Sequence, residues 1–335
     1  MTLALLFFAL VLLFLSARPT RSEAATHEFF ITKEQAYSGM LTADIPPALV
    51  IGDGDRVIFN TIMLMEGNLS PDMTFDDMFT LRQSMKERNV SVYAFTGPFH
   101  VQGAEPGDTL EVRIHRIVPG EYAVTHIYPD TVGVGGLPEG FEKGYLRGLY
   151  LSEDRKSIQF TPEISLPVRP FLGTMAVAPR PGEVRSPVIP GYFAGNMDNK
   201  ELVAGTTLYI PVNTPGALFM AADAHALQGD GEVSIAAAET YFEEVELEFI
   251  VRKDMPLTYP LAETPTHWIV MGFHADLNEA MKMAIREAIA FLSEEKGLTR
   301  EEAYSLCSLA VDFHVTQVVD GDKGIHGMIP KNIFR

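Results

Sequence analysis

Asp108-Thr109-Leu110-Glu111-Val112-Arg113-Ile114-His115-Arg116-Ile117 is the run whose reading decides the fold class. Leu110, Val112 and Ile114 fall on one side and Glu111, Arg113 and His115 on the other, the two-residue period of a half-buried strand. Similar short runs lie on both sides of it. Pro46-Pro47 and Gly52-Asp53-Gly54-Asp55 bracket Ala48–Ile51, and Arg56–Asn60 reads as the return strand. Residues 68–90 fit a helix or an ordered loop, and 129–148 read as a long Gly-rich loop. Further on, Gly205–Val212, Ala217–Ala221 and Gly231–Ala237 read as strands. Phe242, Val245, Leu247 and Phe249 suggest another.

The last third changes period. Asp276 and Glu279 form a capping-box pattern, and Leu277, Met281, Ala284, Ala288 and Phe291 recur at helical spacing before Gly297. Thr299 and Glu302 repeat the box, followed by the stripe Ala303, Leu306, Ala310 and Phe313. Many strands followed by two helices predict an α+β chain that is mainly β. The expected architecture is β-sandwich or barrel-like lobes with the C-terminal pair of helices packed on the sheets. Residues 25–180 would be the β-rich N-terminal part and 181–335 the α+β C-terminal part of one integrated unit.

The 335 residues are 47% hydrophobic, enough for a sizeable core. The net charge of -18 argues against nucleic acid or an anionic membrane surface as partner. Leu3–Leu15 is wholly apolar, too short to span a bilayer and the right length for a signal-peptide core, with small residues at Ser22 and Ala24. Residues 1–24 are therefore read as an export signal, with an uncleaved anchor as the alternative, and the mature chain as periplasmic or secreted. A single cysteine, Cys307, leaves no intramolecular disulfide.

Three polar clusters can carry chemistry. The densest is Asp223-Ala224-His225-Ala226-Leu227-Gln228-Gly229-Asp230-Gly231-Glu232. In extended chain Asp223 and His225 project to one side, about 6–7 Å apart. Gly229 and Gly231 permit a turn that brings Glu232 back toward them. One His with two or three carboxylates suits Zn²⁺ or a similar ion. The competing reading is a polar turn whose carboxylates only accept backbone N–H groups. Gly195-Asn196-Met197-Asp198 and Gly103-Ala104-Glu105-Pro106-Gly107-Asp108 are the other two clusters, each also explicable as a turn.

Taken together, these clusters with Leu208-Tyr209-Ile210-Pro211-Val212 and Pro215-Gly216-Ala217-Leu218-Phe219 resemble the acetamidase/formamidase family over residues 40–330. The resemblance implies a largely β fold, metal dependence, hydrolysis of a short aliphatic amide such as formamide or acetamide, and a homodimer or larger homo-oligomer. One departure is Phe193-Ala194-Gly195-Asn196, where some members carry His-Gly-Gly-Asn. On this reading Asp223, His225 and Asp198 bind a divalent metal, zinc by expectation. Glu232 or Glu105 is the general base, and Asn196 donates to the developing oxyanion.

Other amidase chemistries lack their residues. Cys307 falls within the second predicted helix, next to its apolar stripe, no Ser-Ser-Lys arrangement is visible, and there is no Gly-x-Ser-x-Gly. A cupin-like metalloenzyme would want a His-x-His pair, whereas Asp223 and Leu227 flank His225 two residues away. An exported metal-containing protein that binds a small ligand without turnover is the remaining alternative.

Overall fold

The computed structural model describes residues 24–335. The apolar run at 3–15 lies outside them. No helix among the described residues is long and apolar enough to cross a membrane.

Two large sheets dominate. The first has nine strands. Its centre is the long antiparallel pair Thr109–Pro119 and Phe242–Arg252, flanked by Arg56–Phe59 on one side and Thr207–Pro211 on the other. It continues through Leu261–Glu263, His267–His274 and Lys323–Pro330 to Asp312–Gln317 at the edge. The second sheet is built on Phe171–Ala176 and Phe219–His225, extended by Ala194–Asn196, Thr96–Val101, Glu239–Thr240, Tyr122–Ile127 and Tyr145–Tyr150. Both sheets draw strands from before and after residue 180.

The predicted alternation at 108–117 explains how the sheets stack. Leu110, Val112 and Ile114 are buried, whereas Arg113 and His115 are exposed or half-exposed. Glu111 departs from the pattern. It is buried, and Arg113 and Arg252 neutralise it at 2.6 and 2.8 Å. Between the sheets, Phe249 of the first packs edge-on against Phe99 and Phe219 of the second at centroid distances of 6.0 and 4.9 Å. Such pairs add about 0.5–1.5 kcal/mol each beyond the area they bury. The structure is thus α+β and mainly β, with the core between two sheets.

Both C-terminal helices form where the caps place them. Leu277–Lys296 starts on Asp276, whose carboxylate accepts the N–H groups of Asn278 and Glu279, and ends on left-handed Gly297. Arg300–Ala310 starts on a full capping box between Thr299 and Glu302. The long helix lies so close to His267–His274 that a side chain at Gly272 would strike Ala280 O and Ala284 N.

Four expectations need correction. The second helix stops at Ala310, and Phe313 belongs to the strand Asp312–Gln317 instead of the helical stripe. Gly231–Ala237 is not a strand, because Gly231, Glu232 and Ile235 all take positive φ and break the pleat. The strand expected at Ala217 begins at Phe219, since Ala217 and Leu218 are also left-handed. The Gly-rich loop ends at Gly144, where the strand Tyr145–Tyr150 starts. The ambiguous segment 68–90 holds a helix, Phe75–Glu87, capped by Thr74 and Asp77.

Candidate active site

The strands Phe171–Ala176 and Phe219–His225 pair Leu172 with Ala224 and Thr174 with Ala222, which sets Gly173 against Asp223. The Gly173 carbonyl accepts the N–H groups of Met197 and Asp198 from the neighbouring strand end. One register therefore gathers Asp198, Asp223 and His225 around Gly173. A Cβ there would stand 2.5 Å from Asp198 Oδ1 and Asp223 Oδ2 and 2.9 Å from His225 Cε1. Only a residue without a side chain leaves that space open.

The remaining members arrive from farther away. The next strand places Glu239 across from His225, with Oε2 3.2 Å from Nε2 but not aligned for a hydrogen bond. Asp223 Oδ1 is 3.3 Å from the same nitrogen, and Asp198 Oδ1 lies 3.9 Å from Nδ1 on the other side of the ring. The turn through Gly231 binds the C-terminal edge strand, donating to Thr316 O and accepting from Val318. That contact carries Glu232 inward to a position where its carboxylate, Asp198 and His225 are within 4.8 Å of one another. Asp320 joins Asp198 from the turn after Gln317, whose Oε1 accepts the N–H groups of Val319 and Asp320.

Every member of this cluster is buried. Asp198, Asp223 and Glu232 also hold φ of 50, 62 and 44°, in the left-handed region that non-glycine residues avoid. Such backbone costs on the order of 1–3 kcal/mol per residue and persists where the surrounding structure over-determines it.

The electrostatics are unbalanced. Five carboxylates face one imidazole. Burial, and then the Asp223 carboxylate, raise Asp198 to about 6. Burial and Asp198 hold Glu232 and Asp320 well above the usual carboxylate range. Burial alone would lower His225, but Glu239 and Asp223 outweigh it and keep the ring well above its ordinary value. Burial and the same group of acids push the Tyr93 hydroxyl well up.

A divalent cation fits this donor set. Asp198 Oδ1, His225 Nδ1, Glu232 Oε2, Glu239 Oε2 and Asp320 Oδ2 are buried without a hydrogen-bond partner. Orphaned acceptors of this kind cost about 1–3 kcal/mol each unless something meets them. The clear space at Gly173 lies among Asp198, Asp223 and His225. Asp223, His225 and Glu239 form a second group close enough to share an ion, and Asp230, His314 and His326 a third. There Lys200 Nζ already sits 3.0 Å from Asp230 Oδ2 and His314 Nδ1 at 3.1 Å, so the carboxylate has its counter-charge. Among the described residues, the Gly173 centre has none but His225.

Of the residues predicted from sequence, Asp198, Asp223, His225 and Glu232 converge. Glu105 does not. It stands exposed on its turn, its N–H held by Asp108, and so the expectation that it serves as base is corrected. Asn196 is buried beside the cluster but is already engaged. Its Nδ2 donates to Asp198 Oδ2 at 2.8 Å, and its Oδ1 accepts from Thr174. It orients Asp198 and is not poised as an oxyanion donor. Glu239, Asp320, Tyr93 and Gly173 were missed. Only the closing of the Gln317 turn shows that Asp320 faces inward.

Fold and centre together define a two-sheet β protein with a buried histidine–carboxylate site at a strand register. The chain belongs to the Acetamidase/Formamidase family, whose sequence profile matches residues 30–187 and 183–335. Among solved structures it is similar to a predicted acetamidase/formamidase from Thermoanaerobacter tengcongensis (27% identity, TM-score 0.83, covering 92% of this chain and 97% of that one). It is also similar to an acetamidase from Bacillus halodurans (28% identity, TM-score 0.82, covering 91% and 98%). A candidate formamidase of Schizosaccharomyces pombe is 26% identical over 250 residues, 58% of this chain and 59% of that protein's length.

Proposed function

We propose that the protein hydrolyses a primary carboxamide to a carboxylate and ammonia. The observation that carries this reading is the set of orphaned donor atoms around Gly173, in a chain of a family named for amide hydrolysis. Asp198, Asp223 and His225 would hold a divalent cation, with Zn²⁺ the ion proposed. A cation bound there supplies Lewis-acid polarisation of the amide carbonyl and a lowered pKa for water.

The chain's own residues do the rest. Glu232 takes a proton from the attacking water as the C–O bond forms, and returns it to nitrogen as the C–N bond breaks. Proton return matters because an amide anion is a very poor leaving group. Asn196 and Thr174 keep Asp198 in one orientation. Glu239 Oε2 lies 3.2 Å from His225 Nε2, on the same side of the ring as Asp223, and adds negative charge that favours the imidazolium. The apolar run Leu3–Leu15 supports export of this activity, and a homo-oligomer is proposed from the family resemblance.

The test is ammonia release from formamide, acetamide and propionamide by protein loaded with Zn²⁺ or other divalent ions. Metal-dependent ammonia is expected from the parent. Glu232→Gln should lose roughly 10²–10⁴-fold in kcat while retaining metal, and His225→Ala should lose both. Full turnover by Glu232→Gln would remove the proposed base. Stoichiometric metal with no ammonia from any amide would favour ligand binding without turnover.

A further inference from the structure

A cavity of about 220 Å³ lies beside the centre, walled by the turn after His225, the strand Tyr145–Tyr150 and the hairpin of Ser157–Thr161 and Ile164–Pro167. Its apolar wall is Leu149, Phe160, Leu166 and Leu227. Gln228 and Glu232 belong both to this cavity and to the surroundings of the buried cluster. Gln228 donates from Nε2 to Asp198 O at 2.8 Å, which fixes its side chain. Its Oε1 is left buried and unpartnered, as is Glu232 Oε2. Gln228 and Glu232 thus join the cavity to the cluster.

The size of the cavity is informative. An apolar cavity of roughly 150 Å³ accommodates benzene. Formamide or acetamide would leave most of the larger space here to water or to nothing. The turn that bears Glu232 is also braced from outside, because Gly136 of the Gly-rich loop donates to Val233 O at 2.7 Å.

We propose that the substrate is a primary amide with an apolar acyl group of about five or six carbons, or a phenyl ring, seated against Leu149, Phe160, Leu166 and Leu227. The inference rests on the amide-hydrolase reading for the position of the amide end. Each methylene buried in such a cavity is worth about fourfold in affinity or kcat/KM. From acetamide to hexanamide the chain gains four methylenes, so a preference of at least about thirtyfold is expected even if burial is incomplete.

Binding and turnover are measured separately on the Zn²⁺-loaded protein. Calorimetry with acetamide and hexanamide, on the parent and on Leu166→Trp, reads the cavity. Leu166 is only partly buried on a short hairpin, so the larger ring fills the cavity with little demand on the core. Hexanamide should bind the parent at least about thirtyfold more tightly than acetamide, and Leu166→Trp should erase most of that gap while leaving acetamide within about threefold. Ammonia release should show the same order in kcat/KM. If hexanamide binds no more tightly than acetamide, or if Leu166→Trp leaves the gap intact, the proposal is overturned. If hexanamide is preferred and the variant abolishes the preference, but no amide yields ammonia, the cavity assignment stands and the hydrolase reading falls.

Discussion

Gly173 stands against Asp223 in the ladder between two buried strands, and a methyl group at Gly173 would lie 2.5 Å from the Asp223 carboxylate. The same methyl would lie 2.5 Å from Asp198 Oδ1. The glycine does not serve backbone freedom here, since its φ is not in the left-handed region. It serves space.

Gly173→Ala should therefore bind less than a tenth of the metal that the parent binds, and activity should fall with it. The fold should survive, because the obstructed atoms are side chains and the backbone already suits alanine. Metal stoichiometry by elemental analysis, with circular dichroism as the control, decides this. An alanine variant that keeps its full metal complement would show that the cation, if any, sits elsewhere.

Asp320 contributes charge without touching His225. It adds to the repulsion around Asp198 and Glu232, and its own Oδ2 has no partner. In metal-free protein, Asp320→Asn removes a carboxyl whose ionisation burial and Asp198 disfavour, and keeps the shape. Its expected effect is a gain of about 1 kcal/mol, or roughly 2 °C in Tm. With metal bound, the gain should shrink or reverse. Paired melting curves in chelator and in Zn²⁺ measure both. A lower Tm in chelator would mean that Asp320 is held by partners whose loss outweighs the repulsion.

The contact of the long C-terminal helix with the first sheet makes a separate claim about stability. Gly272→Ala would drive a methyl into Ala280 O and Ala284 N, which are backbone atoms and cannot rotate aside. The helix must lift, at a cost of about 1–3 kcal/mol. Chemical denaturation should show a lower midpoint with an unchanged slope. Metal content should stay at the parent's level, because the helix Leu277–Lys296 contributes no residue to the Gly173 centre.

How much of this was legible in the sequence follows from the range of each interaction. Leu110, Val112 and Ile114 announce a strand because a two-residue period is local, and Asp276 and Thr299 announce helices because caps are local. Asp223 and His225 were found for the same reason. Glu232 was found through the glycines around it. Glu239 and Asp320 are set by a cross-strand register and by a turn near the C-terminus, which no short window contains. Glu105 looked like Glu232 in sequence, an acid in a glycine-punctuated turn. Its turn closes on Asp108 at the surface, whereas that of Glu232 is pulled inward through Gly231 and Thr316. The left-handed residues Ala217, Leu218, Asp198, Asp223 and Glu232 were invisible for a related reason. Their conformations are imposed by tertiary contacts and contradict local preference.

His126 supplies a dependence on pH that is independent of the metal. It is buried on the strand Tyr122–Ile127, edge-on to Tyr128. Burial, and then the Arg82 guanidinium, disfavour its cation and push it down to about 4 from 6.5. The unfolded chain therefore takes up the proton first as pH falls. Stability from the neutral ring is complete above pH 6.5 and drains away as pH falls toward 4. By pH 4.5 the loss should reach about 2 kcal/mol. His126→Phe keeps an aromatic ring against Tyr128 and has no proton to gain. Denaturation of parent and variant from pH 8 to 4.5, in chelator, should show the parent losing about 2 kcal/mol more than the variant over that window. Parallel curves for the two proteins would place the acid sensitivity in the carboxylate cluster instead, where protonation relieves repulsion and the slope has the opposite sign.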